Sequence, residues 1–169
     1  MQLKLLRSRR PHSDRRANVT VELALVTTFI LLPLLAGAAD FISILTARAQ
    51  LNTAMQALLY YAWTNNAAAQ SAAGTTTGGE ATLVTAINGA AIFHISYSSA
   101  MQYTCIANNS GTYTLSSLAA YSSGTTCPTG QTLQLAIQYT VTTTATLPFP
   151  LPLALTNPYT LSATGTAEI

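Results

Sequence analysis

Hydrophobic and polar positions change their period several times along this chain. Residues 1–17 are polar and basic with no repeat, and from Val19 the chain reads VTVELALVTTFILLPLLAGAADFISIL. Between Leu23 and Ala39 it carries no charge. Extended to Leu45, the run is long enough to cross a hydrocarbon core of about 30 Å as a helix, so residues 18–45 are expected to form a transmembrane helix. Pro33 lies inside this run, where it removes a backbone hydrogen bond and predicts a kink or a locally melted turn. Asp40 is expected to mark the far interface. Phe41, Ile44, Leu45, Arg48, Leu51, Met55, Leu58, Leu59 and Ala62 then recur at three- and four-residue spacing, while Gln50, Asn52, Thr53 and Gln56 occupy other faces. That pattern predicts an amphipathic helix over 41–63. It is continuous with the apolar run, half in lipid and half in a globular head.

The stretch TNNAAAQSAAGTTTGGE is small, polar and glycine-rich, and 64–80 is expected to be a flexible linker. A short helix over Ala81 to Ala91 and a strand-like AIFHISYSSAMQYTC follow, with turns at Asn108–Gly111 and Ser122–Gly130. Leu133, Leu135, Ile137, Tyr139 and Val141 alternate with Gln134, Ala136, Gln138, Thr140 and Thr142, the period of a strand with one buried face. A second alternation sets Tyr159, Leu161, Ala163 and Gly165 against Thr160, Ser162 and Thr164. Between them LPFPLPLALTNP holds too many prolines for a central strand, and reads as an extended apolar connection between antiparallel strands. The expected fold class is therefore α+β. A long N-terminal helix carries a head over 46–169, whose small antiparallel sheet occupies 92–169.

Charge sharpens this picture. The 169 residues suit one modest domain plus an anchor, and their net charge of +2 describes only the leader. Lys4, Arg7, Arg9, Arg10, Arg15 and Arg16 crowd the start, Arg48 follows, and no base comes after it. A nucleic-acid binder needs Lys and Arg spread over a folded face to neutralise phosphates, so that class is set aside. Arginines beside an apolar run act as a topology signal that keeps the N-terminus in the cytoplasm, and Arg15 and Arg16 stand nearest the run. Two cysteines, Cys105 and Cys127, with the single imidazole of His94 are too few for a zinc site, and no cofactor is expected. Outside the cytoplasm the cysteines would close a disulfide loop of about twenty residues, worth about 3 kcal/mol; the alternative is two buried free thiols. Hydroxyls abound, but a G-x-S-x-G elbow, a P-loop, a dinucleotide fingerprint and paired carboxylates are all lacking. A Ser–His–Glu set using His94 with Glu80 or Glu168 is the one catalytic arrangement that counting allows, and catalysis is not expected.

Glu22 stands at the start of the apolar run. A carboxylate at the centre of a spanning helix costs about 2.5–3.5 kcal/mol, and less near an interface, where Glu22 could reach back to Arg15 or Arg16. Its neighbours add a pattern. Ala17 is small, follows two arginines and precedes Glu22 by five positions, so a cut between Ala17 and Asn18 makes Glu22 the fifth residue of the mature chain. This arrangement resembles the prepilin-peptidase site of type IV pilin-like proteins. RRANVTVELALV, followed by an apolar helix, Asp40-Phe41 and TARAQLNTAMQALLYYA, resembles the TadE-like pseudopilins of the tight-adherence pilus. The resemblance covers residues 15–63, and the paired C-terminal alternations ending TLSATGTAEI are similar more loosely. The family usually has Gly before the cut and often Phe after the glutamate, where this chain has Ala17 and Leu23.

The resemblance implies that the leader stays cytoplasmic, a membrane aspartic peptidase removes it, and Glu22 pairs with the freed amine of Asn18 on a neighbouring subunit. An uncompensated charge in low dielectric is costly, so such pairing would set axial register during assembly. The implied partners are other pilin or pseudopilin subunits, the prepilin peptidase, the inner-membrane assembly platform and the lipid bilayer. The implied location is the bacterial inner membrane, single-pass, with the head in the periplasm or, in the assembled pilus, outside the cell. Because major shaft subunits of this class are very short, the head implies a minor subunit acting in pilus assembly or initiation, and so in surface adhesion. A rival site lies in LLPLLAGAAD, where Ala36-Gly37-Ala38 is a small-x-small signal-peptidase pattern that would release a soluble binding or adhesion domain. Glu22 within the supposed apolar core of such a signal, and the run-on of the amphipathic helix, oppose it. The intact mass of the membrane-associated protein separates these readings: a start at Asn18 is expected, and a start near Ala39 ends the pilin reading.

Overall fold

A computed structural model of the chain describes residues 14–149 and 158–169. The basic residues from Lys4 to Arg10 and most of the proline-rich connection lie outside the described residues. One continuous helical path leads the structure: α1 (Asp14–Val26), a π-helical turn (Thr27–Leu31) and α2 (Leu32–Thr64). The helix starts inside the expected leader, so residue 17 is not a structural boundary. Arg and Ala are strong helix formers, and nothing between Asp14 and Asn18 interrupts the path.

Pro33 explains the π turn. Its ring cannot donate a hydrogen bond and crowds the carbonyl four residues earlier, that of Phe29. Widening the preceding turn relieves the crowding, and the Leu32 N–H reaches back five residues to the Thr27 carbonyl. The expected kink or melted turn is thus a single widened turn through which the helix continues.

From Asn18 to Thr64 the helix has 47 residues, about 70 Å at 1.5 Å per residue. It is the one described helix long and apolar enough to cross a membrane, and the apolar window has none of its surface buried. Leu23, Phe29, Ile30 and Leu34 all face outward. The first buried side chain is Asp40, followed by Ala47, Leu51, Ala54, Met55, Leu58 and Ala62. The expected stripe is corrected at its upper end. Phe41 and Leu45 are exposed, as is Arg48, the polar exception on the stripe, and the helix joins the buried core cluster only from Leu51 onward. Along the buried face the small Ala47, Ala54 and Ala62 let the two backbones approach.

The expected linker is also corrected. Residues 66–72 form α3 (Asn66–Ala72), which buries Ala69 and Ala72. Its alanines have high helix propensity, which outweighs the small-residue composition that suggested flexibility. Residues 73–78 make the turn, and α4 (Gly79–Ala90) then forms close to where a helix was expected.

The sheet has five antiparallel strands: β1 (Ile95–Asn109), β2 (Thr112–Leu115), β3 (Ala119–Ala120), β4 (Gln131–Ala145) and β5 (Tyr159–Glu168). They lie in the order β2-β1-β4-β5, with β3 also paired to β1. The β1–β2 hairpin turns on Ser110 (φ 55°) and Gly111 (φ 92°), the two left-handed positions of a type I′ turn. Ile137, Tyr139 and Val141 of β4 are fully buried against α2 and α4, with Ile95, Val84 and Ala167 completing the core. Gly165 on β5 lies close under the α2 side chains. A Cβ there would lie 2.7 Å from the Met55 Sδ and 3.2 Å from the Leu59 Cδ1. Cys105 and Cys127, 22 positions apart, are joined as a disulfide with Cα atoms 5.7 Å apart, closing the loop that carries β2 and β3.

Gly→Ala normally stabilises a strand interior by about 0.5–1 kcal/mol. At Gly165 the atoms in the way are the ends of the flexible Met55 and Leu59 side chains, which must turn aside, so Gly165→Ala is expected to gain none of that and to leave the urea midpoint of the full chain in detergent unchanged. Leu58→Ala, which empties a fully buried site, should cost about 2–5 kcal/mol in the same assay. A stabilised Gly165→Ala protein would contradict this packing.

Candidate functional site

The residues singled out at the N-terminus lie on one exposed helix. Arg15, Arg16 and Ala17 fall in the first turn of α1, so the Ala17–Asn18 bond is helical in the uncut chain. Asn18 and Glu22 are both exposed, among the outward-facing Val19, Val21 and Leu23. Four residues of helix separate Asn18 from Glu22, a rise of about 6 Å along one face. Helical side chains lean toward the N-terminus, which directs the Glu22 carboxylate to the level where a new amine at Asn18 would stand. The geometry offers an exposed carboxylate, on an otherwise apolar surface, at the height of a potential cation.

Asp40, expected at the far interface, is drawn into the protein. Its side chain is buried, and its Oδ1 accepts the Phe149 N–H at 2.9 Å. That contact folds the start of the β4–β5 connection down along the helix. Sequence reasoning missed it because the partners stand 109 positions apart. Only the lack of any Lys or Arg near Asp40 hinted that its partner would be a main-chain donor.

A second carboxylate is buried without a cation. Glu80 sits in the first turn of α4 with no exposed surface. Its Oε1 accepts a hydrogen bond from the Tyr139 hydroxyl on β4. The Glu80 Oε2 and the Tyr97 hydroxyl are also buried, with no hydrogen-bond partner among the described residues. The hydroxyl of Tyr61 closes the cluster, lying against the Gly79 Cα where any larger residue would collide with it. With no base beyond Arg48, the Glu80 charge is opposed by the Tyr139 hydroxyl and the positive end of the α4 dipole. Burial holds the Tyr97 hydroxyl above its ordinary pKa, and the Glu80 charge adds to the effect. Burial raises Tyr139 much further, reinforced by the hydrogen bond it donates to Glu80 and by that group's charge. This cluster fastens α4 to the sheet.

The catalytic set that counting allowed is not assembled among the described residues. His94 is exposed, and its carbonyl accepts the Thr143 hydroxyl. Glu80 is bonded to Tyr139, and Glu168 accepts the Gln134 amide. The described residues hold no cluster of three or more His, Cys, Asp or Glu that could bind a metal. No protein-family model, curated protein or solved structure matches the chain.

The raised tyrosines predict an alkaline limit to stability. Unfolded tyrosines ionise near 10.0, whereas Tyr97 and Tyr139 keep their protons to higher pH when folded. Their contribution is therefore complete below pH 10.0 and is lost as pH rises above it. Urea unfolding as a function of pH should show a stability plateau and then a fall, and Tyr139→Phe should flatten the fall. An unchanged alkaline slope in Tyr139→Phe would rule out this assignment.

Proposed function

We propose that this chain is a minor pilin or pseudopilin of a tight-adherence pilus, held in the bacterial inner membrane before assembly and acting in pilus assembly or initiation. The observation that carries the reading is the single helix. Its first half is apolar and wholly exposed, and its second half is built into the head. A subunit that waits in a bilayer and then packs against neighbours needs such a helix. Its apolar surface can exchange lipid for the helices of other subunits without meeting water.

The N-terminal residues supply the rest. Arg15 and Arg16 hold the leader in the cytoplasm, the prepilin peptidase cuts between Ala17 and Asn18, and Glu22 receives the new amine of an adjoining subunit. Pairing within one subunit is geometrically open before assembly, since Glu22 leans toward the level of Asn18. Docking then exchanges an intramolecular pair for an intermolecular one, fixing register at little net cost in charge burial. The head, whose only bases and acids after Arg48 are Glu80 and Glu168, presents an almost uncharged surface that associates readily. Its disulfide suits an oxidising periplasm.

Glu22→Ala should leave membrane insertion and leader removal intact while depleting the protein from sheared pili. Recovery of Glu22→Ala in pili at the wild-type level would refute the register role.

A further inference from the structure

The β4–β5 connection returns to the membrane helix at a point where a head loop has no structural need to be. Phe149 lines a cleft of about 440 Å³ together with Thr28, Leu32, Pro33, Leu35 and Ala36. These positions lie four to twelve residues before Asp40, the first buried residue of the helix, or about 6–18 Å along the axis. If 19–39 is the apolar span, about 30 Å long, the cleft lies at the depth of outer-leaflet hydrocarbon.

The main chain is suited to that depth. In hydrocarbon every backbone donor must be satisfied internally. Prolines have no N–H, so within Pro148-Phe149-Pro150 the only donor is the N–H of Phe149. Asp40 takes that donor at 2.9 Å. Phe149 keeps 56 % of its surface exposed, and no charged side chain lines the cleft.

We propose that the cleft between Phe149 and the Leu32–Ala36 turn takes a phospholipid acyl chain of the outer leaflet. Pro148-Phe149 is then a second membrane anchor, locked at its depth by Asp40. The proposal rests on the reading of the apolar run 19–39 as the membrane-spanning part of the helix. It accounts for a buried carboxylate at the helix–head junction, for prolines on both sides of one aromatic residue, and for an apolar cleft facing away from the core. A lipid-seated wedge would also restrain rotation of the head about its single helix.

Trp63, 74 % exposed, is the only tryptophan. In a Trp63→Phe background, Phe149→Trp or Phe29→Trp is introduced into the full chain, which is reconstituted into phosphatidylcholine vesicles. Phospholipids brominated on the acyl chain and aqueous iodide serve as opposing quenchers. Both reporters should lose fluorescence to the brominated lipid and be protected from iodide. Adding Asp40→Ala should weaken the lipid quenching at 149 and leave that at 29 unchanged. Lipid quenching at 29 with iodide quenching at 149 overturns the wedge but not the membrane helix. Protection of 149 from both quenchers overturns it in favour of a neighbouring protein surface. Absence of lipid quenching at 29 removes the membrane helix and the wedge together.

Discussion

One helix passes without a break from an exposed apolar half to a half packed into the head, and the rest of the molecule is arranged around that change. Its first half is apolar on every side, so it makes no head core of its own. Its second half has a single inward face built from Ala47, Leu51, Ala54, Met55, Leu58 and Ala62. The sheet can lie close to that face only because the contact residues are small where the backbones converge. The alanines supply this on the helix and Gly165 supplies it on β5.

The same change explains where the carboxylates go. Glu22 lies on the exposed, apolar half, with no buried surroundings to satisfy it within one subunit. Asp40 stands where the helix changes character, and its oxygen is saturated by a main-chain N–H. Glu80 is buried in the head through a tyrosine hydroxyl and a helix terminus, not through an ion pair. With no Lys or Arg after Arg48, the two buried carboxylates, Asp40 and Glu80, are held by neutral donors.

Much of the architecture was legible before any coordinates. The alternation from Leu133 to Val141 and from Tyr159 to Gly165 located two paired strands, and the three- and four-residue spacing located the head-facing helix. The phase of that helix was misjudged at its upper end, since alanine carries little hydrophobic signal and yet is the residue that allows contact. The same property of alanine hides the helix at 66–72 inside a stretch whose composition suggests a linker. The cysteine pairing was open to two readings, and only the proximity of β1 to the loop after β3 joined Cys105 to Cys127.

The sequence by itself determined the periods: an uncharged run long enough to span a bilayer, a stripe, two alternations, and a segment whose prolines cannot join a central strand. Those features follow from backbone geometry within a few residues, so local spacing reveals them. Only the tertiary structure decided which carboxylates go inside. Isolated Asp and Glu belong in water by default, and burial is tolerable only where a donor arrives from a distant part of the chain. Tyr139 reaches Glu80 across 59 positions, and Phe149 reaches Asp40 across 109. Neither meeting has a local signature, because the energy that fixes it exists only once helix and sheet have packed.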